Sequence, residues 1–162
     1  MNADGSAQKN LGRNSGPSLG SPSFSPDGKR IAFVAPPGDR PGEGDTEVWV
    51  MNADGKARRQ VTKSALSDWA PAFSPDGKRI AYVSVPVDEL AEVFVMDADG
   101  ANKVRLTEND AVDFDPKWSP DGKRIIFTSQ RDGDQDVYVM NADGTGQAQL
   151  TRYSPDLPAP AA

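Results

Sequence analysis

The chain has 162 residues, of which 36% are hydrophobic and 26% charged, and its net charge is −6 at pH 7. It contains no histidine and no cysteine. A Ser-His-Asp triad, a cysteine nucleophile, disulfide bonds and zinc sites built on imidazole or thiolate are therefore excluded. No apolar run approaches the roughly 18 residues of a membrane-spanning helix, and no Walker loop or G-x-S-x-G motif occurs. The composition predicts a chain that is not an enzyme and does not span a membrane.

Two short motifs recur along the chain, and their spacing organises the whole sequence. The first, S-P-D-G-K-R, occurs at Ser25–Arg30, Ser74–Arg79 and Ser119–Arg124. The second, M-[ND]-A-D-G, begins at Met1, Met51, Met96 and Met140. Both repeat with a period of about 45 residues, which is typical of propeller-type repeats. The sequence therefore predicts tandem supersecondary units.

Each unit predicts four short strands joined by tight turns. In the middle unit the strands are expected at Ala70–Ser74, Arg79–Val83, Glu92–Met96 and Lys103–Thr107. These segments alternate polar and apolar residues or are rich in strand-forming residues. S-P-D-G is typical of a type I turn, and A-D-G of a tight hairpin. We therefore predict an all-β fold, a β-propeller with three four-stranded blades per chain.

The repeats also predict how the chain is divided. Residues 1–20 hold a partial repeat and a connector, blades 1, 2 and 3 span residues 21–62, 63–107 and 108–152, and residues 153–162 form a tail rich in proline and alanine. Four segments are candidates for the outer strand of only three blades: Ala7–Leu11, Ala57–Thr62, Lys103–Thr107 and Gln147–Thr151. One of them is spare, or it pairs with a partner chain at an open sheet edge.

Nine of the twelve aromatic residues occupy equivalent positions in the three units. They are Phe24, Phe73 and Trp118 on the first strand, Phe33, Tyr82 and Phe127 on the second, and Trp49, Phe94 and Tyr138 on the third. Because radially stacked blades cover one another, we expect these rings to form the core between blades.

The repeat also resembles a known family. The pattern P-x-[FW]-S-P-D-G-K-R-I-[AI]-[FY], followed by [ED]-V-[WFY]-V-M-[ND]-A-D-G, is similar to the β-propeller repeat of TolB and covers about residues 1–152. The resemblance implies a six-bladed propeller that serves as a protein-binding platform, in a periplasmic or extracytoplasmic location. Similar repeats occur in propellers attached to some serine peptidases. The chain has only three complete units and no counterpart of TolB's separate N-terminal domain.

Three blades are fewer than the four to eight that usually close a propeller. A twofold dimer is the commonest closed assembly. We therefore predict a homodimer that completes one six-bladed ring. The alternative is that the chain is a fragment of a longer array.

Charge is distributed unevenly between the two ends of the predicted blades. The six segments of variable loops and adjoining strand ends, residues 12–22, 35–47, 62–71, 84–92, 107–116 and 129–136, carry 15 acidic and four basic residues, a net charge of −11. The rest of the chain carries 9 acidic and 14 basic residues, a net charge of +5. Variable loops on a rigid scaffold are where binding usually resides. An anionic face attracts cations or basic partners and argues against nucleic acid.

Two sets of carboxylates recur in register on this face. Asp68 and Asp113 lie just before the first strands and are candidate calcium ligands, since calcium prefers carboxylate and carbonyl oxygens. The alternative is that each aspartate caps its connecting loop. The third strand of each unit begins with a carboxylate: Glu47, Glu92 and Asp136. These carboxylates either form a ring that faces the channel or make the same structural hydrogen bond in each blade. Trp69, Phe114 and Asp115 are candidate partner contacts beside the aspartates.

These features predict a non-catalytic binding module that recognises a protein or peptide at an acidic channel mouth, with calcium as the only expected cofactor. No nucleic acid or membrane partner is expected. Two alternatives stay open, a purely architectural repeat fragment that self-assembles, and an accessory propeller of a hydrolase.

Overall fold

The computed structural model describes residues 6, 10–11, 20–37, 45–64, 67–86 and 89–151. Within them the chain forms three antiparallel four-stranded sheets, each a meander in which neighbouring strands are consecutive. Blade 1 contains β1 (Gly20–Phe24), β2 (Arg30–Ala35), β3 (Glu47–Asn52) and β4 (Arg59–Gln60). Blade 2 contains β5 (Asp68–Phe73), β6 (Arg79–Ser84), β7 (Glu92–Asp97) and β8 (Val104–Arg105). Blade 3 contains β9 (Asp113–Trp118), β10 (Arg124–Ser129), β11 (Asp136–Asn141) and β12 (Ala148–Gln149).

The S-P-D-G-K-R motif forms a self-contained turn. In blade 1 the Gly28 amide donates to the Ser25 carbonyl at 2.8 Å, closing the turn. The Ser25 hydroxyl donates to Asp27 Oδ1 at 2.6 Å and accepts from the Arg30 amide at 2.9 Å. The hydrogen bond from Ser25 lowers the pKa of Asp27. Blades 2 and 3 repeat these contacts, which confirms the turn predicted for this motif in each unit.

The core lies between consecutive blades. In the first interface Ala32, Val48, Val50 and Val61 of blade 1 pack against a set in blade 2: Phe73, Ile80, Tyr82, Met96 and Ala98. The second interface uses the equivalent residues one repeat further on: Ala81, Val93, Val95 and Leu106 against Ile125, Phe127, Tyr138 and Met140. Each blade thus has a forward face, which packs on the next blade, and a rear face, which packs on the preceding one.

The prediction that the repeated aromatic rings form the core between blades is wrong for blade 1, where Phe33 and Trp49 pack with Leu11 and not against another described blade. Phe33, Tyr82 and Phe127 are buried, but Phe24 is 63% exposed. Its equivalent Phe73 is covered by the forward face of blade 1. No described blade precedes blade 1, so Phe24 has no such cover.

The outer strands are short, with two residues each. Of the fourth candidate, Ala7–Leu11, residues 7–9 lie outside the described part of the chain. Leu11 packs against the core cluster of blade 1.

The hairpin between the third and fourth strands contains a strained residue. Ala57 is exposed and has a φ of +53°, whereas the chain uses Asn102 and Gly146 at the equivalent positions, with φ of +50° and +64°. A left-handed conformation costs an L-residue about 1–2 kcal/mol, and glycine adopts it freely. Ala57→Gly is therefore expected to raise the free energy of unfolding by about 0.5–1 kcal/mol, after the entropy that glycine adds to the unfolded chain. Urea denaturation measures it, and a loss of stability would contradict the strain argument.

Candidate binding face

The meander sorts the connections between strands onto opposite ends of each blade. The S-P-D-G turn and the A-D-G turn lie at one end, where the Ala53 amide donates to the Lys29 carbonyl at 2.8 Å. The β2–β3 loop and the connection to the next blade lie at the other end, where the Asp68 amide donates to the Thr46 carbonyl at 2.7 Å. We call these ends the turn face and the loop face. The loop face carries the predicted site residues.

The acidic residues of the loop face divide into buried and exposed groups. Five are buried: Glu47, Asp68, Glu92, Asp113 and Asp136. Seven are exposed: Asp45, Glu89, Glu108, Asp110, Asp115, Asp132 and Asp134. Asp39, Glu43 and Asp88 lie outside the described residues. Only the exposed group can meet a partner directly.

The carboxylate that opens each third strand anchors the end of the outer strand. The Thr62 hydroxyl donates to Glu47 Oε2 at 2.5 Å and accepts from the Val48 amide at 2.8 Å. The same arrangement joins Thr107 to Glu92 and Thr151 to Asp136. This geometry corresponds to the second interpretation of Glu47, Glu92 and Asp136, repeated structural hydrogen bonds, since each carboxylate accepts hydrogen bonds within its own blade.

Between blades 1 and 2, two carboxyl groups are buried side by side. Glu47 is 2% exposed and Asp68 is 1% exposed. Burial, and then the neighbouring Asp68 carboxylate, raise the pKa of Glu47, although hydrogen bonds from Thr62 and Ser64 oppose the shift. Among the described residues no lysine or arginine forms an ion pair with either group. Asp68 Oδ1 is buried without a hydrogen-bond partner. Because like charges side by side disfavour double ionisation, Glu47 releases its proton less readily than an isolated glutamate.

Between blades 2 and 3, the equivalent carboxylates are neutralised by arginines. Arg105 Nη2 lies 2.9 Å from Glu92 Oε1, and Arg131 Nη2 lies 2.9 Å from Asp113 Oδ2. Asn109 joins the two groups, donating its amide to Glu92 at 3.0 Å and its side chain to Asp113 at 2.8 Å. The positions equivalent to the two arginines in the preceding junction hold Gln60 and Pro86. The second junction is therefore a charge-balanced version of the first.

The calcium prediction for Asp68 and Asp113 stays a prediction. The described residues contain no group of three or more acidic side chains placed to hold a metal ion. Each aspartate keeps one buried oxygen without a hydrogen-bond partner. The two differ because Arg131 pairs with Asp113, whereas no described lysine or arginine pairs with Asp68. Of the two predicted ligands, Asp68 has the environment that better suits a cation.

The candidate partner contacts surround a small apolar cluster at the loop face. Trp69 and Phe114 are half-buried and pack around Ala70, Val83 and Ala91. Asp115 is exposed, in a left-handed conformation with φ of +53° at the bulge of β9. The roles predicted for these three residues in binding stay predictions.

The structure adds a feature that the sequence did not single out. An open depression of about 550 Å³ is lined by Glu89, Leu90, Arg105, Glu108, Asn109 and Asp110. Leu90 is 45% exposed, and Arg105 is held at its edge by a 2.6 Å ion pair with Glu89. The excess of acidic residues in these loops was visible in the sequence, but their convergence depends on how blades 2 and 3 pack.

Within the described part of the chain there is no helix long and apolar enough to cross a membrane.

Comparisons with known proteins agree on the type of repeat. Residues 1–157 match the family described as the TolB beta propeller domain. No curated protein matches the chain significantly. Among solved structures, a putative TolB from Agrobacterium tumefaciens is 27% identical with a TM-score of 0.76, over 83% of this chain and 47% of that one. TolB from Acinetobacter baumannii is 28% identical with a TM-score of 0.71, over 83% and 32%. The chain therefore spans less than half the length of either structure.

A peptidase shares the fold at lower identity. A puromycin-hydrolysing peptidase from Mycobacterium tuberculosis is 21% identical with a TM-score of 0.66, over 83% of this chain and 23% of that one. This similarity shows the fold alone.

Proposed function

Because the chain belongs to the TolB beta propeller domain family, we propose that it is a non-catalytic propeller segment whose loop face binds a basic segment of a protein or peptide. The observation that carries the proposal is the acidic depression beside an exposed leucine. Glu108 and Asp110 offer exposed carboxylates, Glu89 shares its carboxylate with Arg105, and Leu90 offers apolar surface at the same place. A segment that combines lysine or arginine with apolar residues is complementary to both.

The scaffold supports binding because it holds these loops in place. Glu92 and its partners Thr107, Asn109 and Arg105 tie the end of the outer strand to the loop behind the depression. Loops held by a rigid scaffold lose little conformational freedom when a partner binds. The field of several exposed carboxylates also raises the local concentration of basic partners.

The proposal includes the six-bladed ring that the repeats predict, formed by two copies of the chain. A second candidate function is an accessory propeller of a hydrolase, which the fold similarity to the M. tuberculosis peptidase favours. Sequence continuing past Ala162 into a catalytic domain would support that second candidate.

A labelled basic peptide tests the binding proposal. We expect a fluorescent peptide of alternating lysine and leucine to bind the wild-type chain in fluorescence anisotropy, and its glutamate–leucine counterpart not to bind. Combining Glu89→Gln, Glu108→Gln and Asp110→Asn removes three charges from the depression and is expected to weaken binding about tenfold, since exposed charge contacts contribute up to about 1 kcal/mol each.

The matched control removes three charges from the turn face, through Asp54→Asn, Asp99→Asn and Asp143→Asn. At physiological salt these sites lie beyond the roughly 8 Å over which charges act through solvent, so binding should change little. Equal losses in the two triple variants would mean that the peptide responds only to net charge. Such a result would leave the purely architectural alternative in place.

A further inference from the structure

The forward face of blade 3 is apolar and uncovered among the described residues. The forward faces of blades 1 and 2 are almost fully buried at the two internal interfaces. Their exposed fractions are 0% for Ala32 and Ala81, 6% for Val61 and 8% for Leu106. In blade 3 the same positions hold Ile126 at 42% and Leu150 at 58% exposure. Val137 and Val139, between them, are half-buried. Blade 3 thus presents the surface that blades 1 and 2 use to hold a following blade.

The arginines of the S-P-D-G-K-R motif indicate the same missing contact with a following blade. At each internal interface the arginine of S-P-D-G-K-R stacks on the first-strand aromatic residue of the next blade: Arg30 lies 5.1 Å from the centre of the Phe73 ring, and Arg79 lies 4.5 Å from that of Trp118. Arg124 is the third arginine of the series and is exposed. Phe24 is the third aromatic and is 63% exposed. Arg124 in blade 3 and Phe24 in blade 1 are thus the two partners of one further contact of this kind, which the described residues do not make.

The rear face of blade 1 is covered in part by Leu11. At the internal interfaces, the residue just after the outer strand lies against the hairpin glycine of the next blade, Val61 against Gly100 and Leu106 against Gly144. Leu11 lies at the corresponding place beside Gly55, which it meets through its side chain and Cα. Its carbonyl accepts from Arg58 Nη2 at 2.7 Å, as the Leu106 carbonyl accepts from Gln147 Nε2 at 3.1 Å. Leu11 therefore occupies the position that a preceding blade would fill, and Leu150 is its equivalent in blade 3.

We infer that the forward face of blade 3 binds the rear face of blade 1 in a second copy, with Leu150 replacing Leu11 beside Gly55 and Arg124 stacking on Phe24. This inference rests on the proposed six-bladed ring and specifies its interface. Two such contacts, related by a twofold axis, close the ring. Leu11 and Leu150 compete for one position, so Leu11 restrains the assembly that the exposed face of blade 3 favours.

Two observations favour a second copy and the release of Leu11. The chain spans 47% of the A. tumefaciens structure, so two copies match the length of that chain. β12 is held firmly in its own blade, since Gln149 and Thr151 both donate to Asp136, and Gln147 pairs with Arg131. Leu11 is held by the bond from Arg58 and by packing on the core cluster of blade 1. Since Leu150 is fixed in its own blade, Leu11 is the residue that must leave for the proposed contact to form.

Light scattering after size exclusion, over a range of protein concentrations, tests the interface. The chain has a mass of 17.3 kDa, and we expect it to shift towards twice that mass as its concentration rises. Leu150→Asp and Arg124→Ala are each expected to weaken dimerisation, Leu150→Asp by about tenfold or more, because a charge would replace a buried leucine. Leu11→Asp is expected to strengthen dimerisation, because it frees the shared position. Val104→Asp, at an exposed position on β8 of blade 2, is the matched control and should leave dimerisation unchanged. Circular dichroism melts verify that each variant is folded.

The possible outcomes separate the two proposals. If the wild type dimerises but Leu11→Asp has no effect or weakens the dimer, the competition between Leu11 and Leu150 is wrong and the six-bladed ring stands. If both the wild type and Leu11→Asp stay monomeric at the highest concentration, the ring of two copies is wrong as well. A mass that grows without limit would mean that the contacts do not close, and it would overturn the twofold arrangement. Peptide binding at the loop face is measured separately and does not decide any of these outcomes.

Discussion

Gly100→Ala is expected to destabilise the chain by about 3 kcal/mol or more, a loss typical of backbone strain combined with a steric clash in a packed interface. Gly100 has a φ of +92°, and a Cβ atom added there would lie 2.5 Å from the Val61 carbonyl oxygen. That oxygen belongs to a backbone fixed by the bond from the Val61 amide to the Val48 carbonyl, at 2.9 Å. The clash therefore separates blades 1 and 2 instead of being absorbed by a flexible side chain.

Gly133→Ala is the matched control. Gly133 has a φ of +94°, nearly that of Gly100, and an added Cβ would meet nothing within 4 Å. This substitution should cost only the conformational strain, about 1–2 kcal/mol. Urea denaturation at pH 7 gives both values, and their difference isolates the contact between blades.

The same argument applies to Gly144 and Gly55, the equivalent hairpin glycines of blades 3 and 1. An added Cβ would lie 2.9 Å from the Leu106 carbonyl oxygen at Gly144, and 3.3 Å from the Leu11 side chain at Gly55. The expected order of destabilisation is Gly100→Ala, then Gly144→Ala, then Gly55→Ala, because a side chain yields more easily than a backbone. Equal losses at Gly100 and Gly133 would show that blade contact contributes nothing.

The strands and turns could be predicted because their causes are local. The turn at Ser25 is closed by hydrogen bonds among residues of one hexapeptide, so the motif itself contains the information. The recurrence of the motif gives the number of blades, since each unit repeats the same turn chemistry. The second-strand rings Tyr82 and Phe127 are buried between blades as the repeat predicts.

The environments of the site residues could not be predicted, because they depend on side chains from other strands. Asp68 and Asp113 occupy equivalent positions in the sequence, yet only Asp113 meets an arginine, which comes from position 131. The equivalent residue for Asp68 is Pro86, and the sequence does not show that this position faces the carboxylate. Phe24 was misassigned because a repeat pattern does not reveal which copy lacks a neighbour.

Asp68→Asn and Asp113→Asn are expected to change stability in opposite directions at pH 8. At Asp68 the substitution removes one of two adjacent buried charges, and the amide can donate to Glu47. We expect a gain of about 1–2 kcal/mol, the size of a satisfied buried hydrogen bond plus relief of like-charge repulsion. At Asp113 the substitution leaves Arg131 without its carboxylate, and we expect a loss of about 2–3 kcal/mol. This is less than for a fully buried ion pair, because the Arg131 side chain is 23% exposed.

The pH dependence of stability shows whether the gain expected for Asp68→Asn comes from relief of the repulsion between Glu47 and Asp68. Burial and the Asp68 carboxylate raise the pKa of Glu47 above its ordinary value of 4.5. A raised pKa means that the folded state holds the proton more tightly than the unfolded state. The contribution of Glu47 is therefore fully present below about pH 4.5 and is lost as the pH rises through the raised pKa. Asp68→Asn should flatten this decline, so its advantage over the wild type should grow from acidic to alkaline pH.

Asp68→Asn and Asp113→Asn also test whether Asp68 is a calcium ligand. Thermal melts at pH 8, with calcium and with a chelator, separate a pair of carboxylates without a metal ion from a metal site. If the pair binds no metal ion, neither the wild type nor Asp68→Asn responds to calcium, and Asp68→Asn is the more stable of the two. If Asp68 is a calcium ligand, calcium raises the melting temperature of the wild type, since a ligand that binds only the folded state stabilises it. Asp68→Asn would then lose that response, while Asp113→Asn would keep it if Arg131 already neutralises that aspartate.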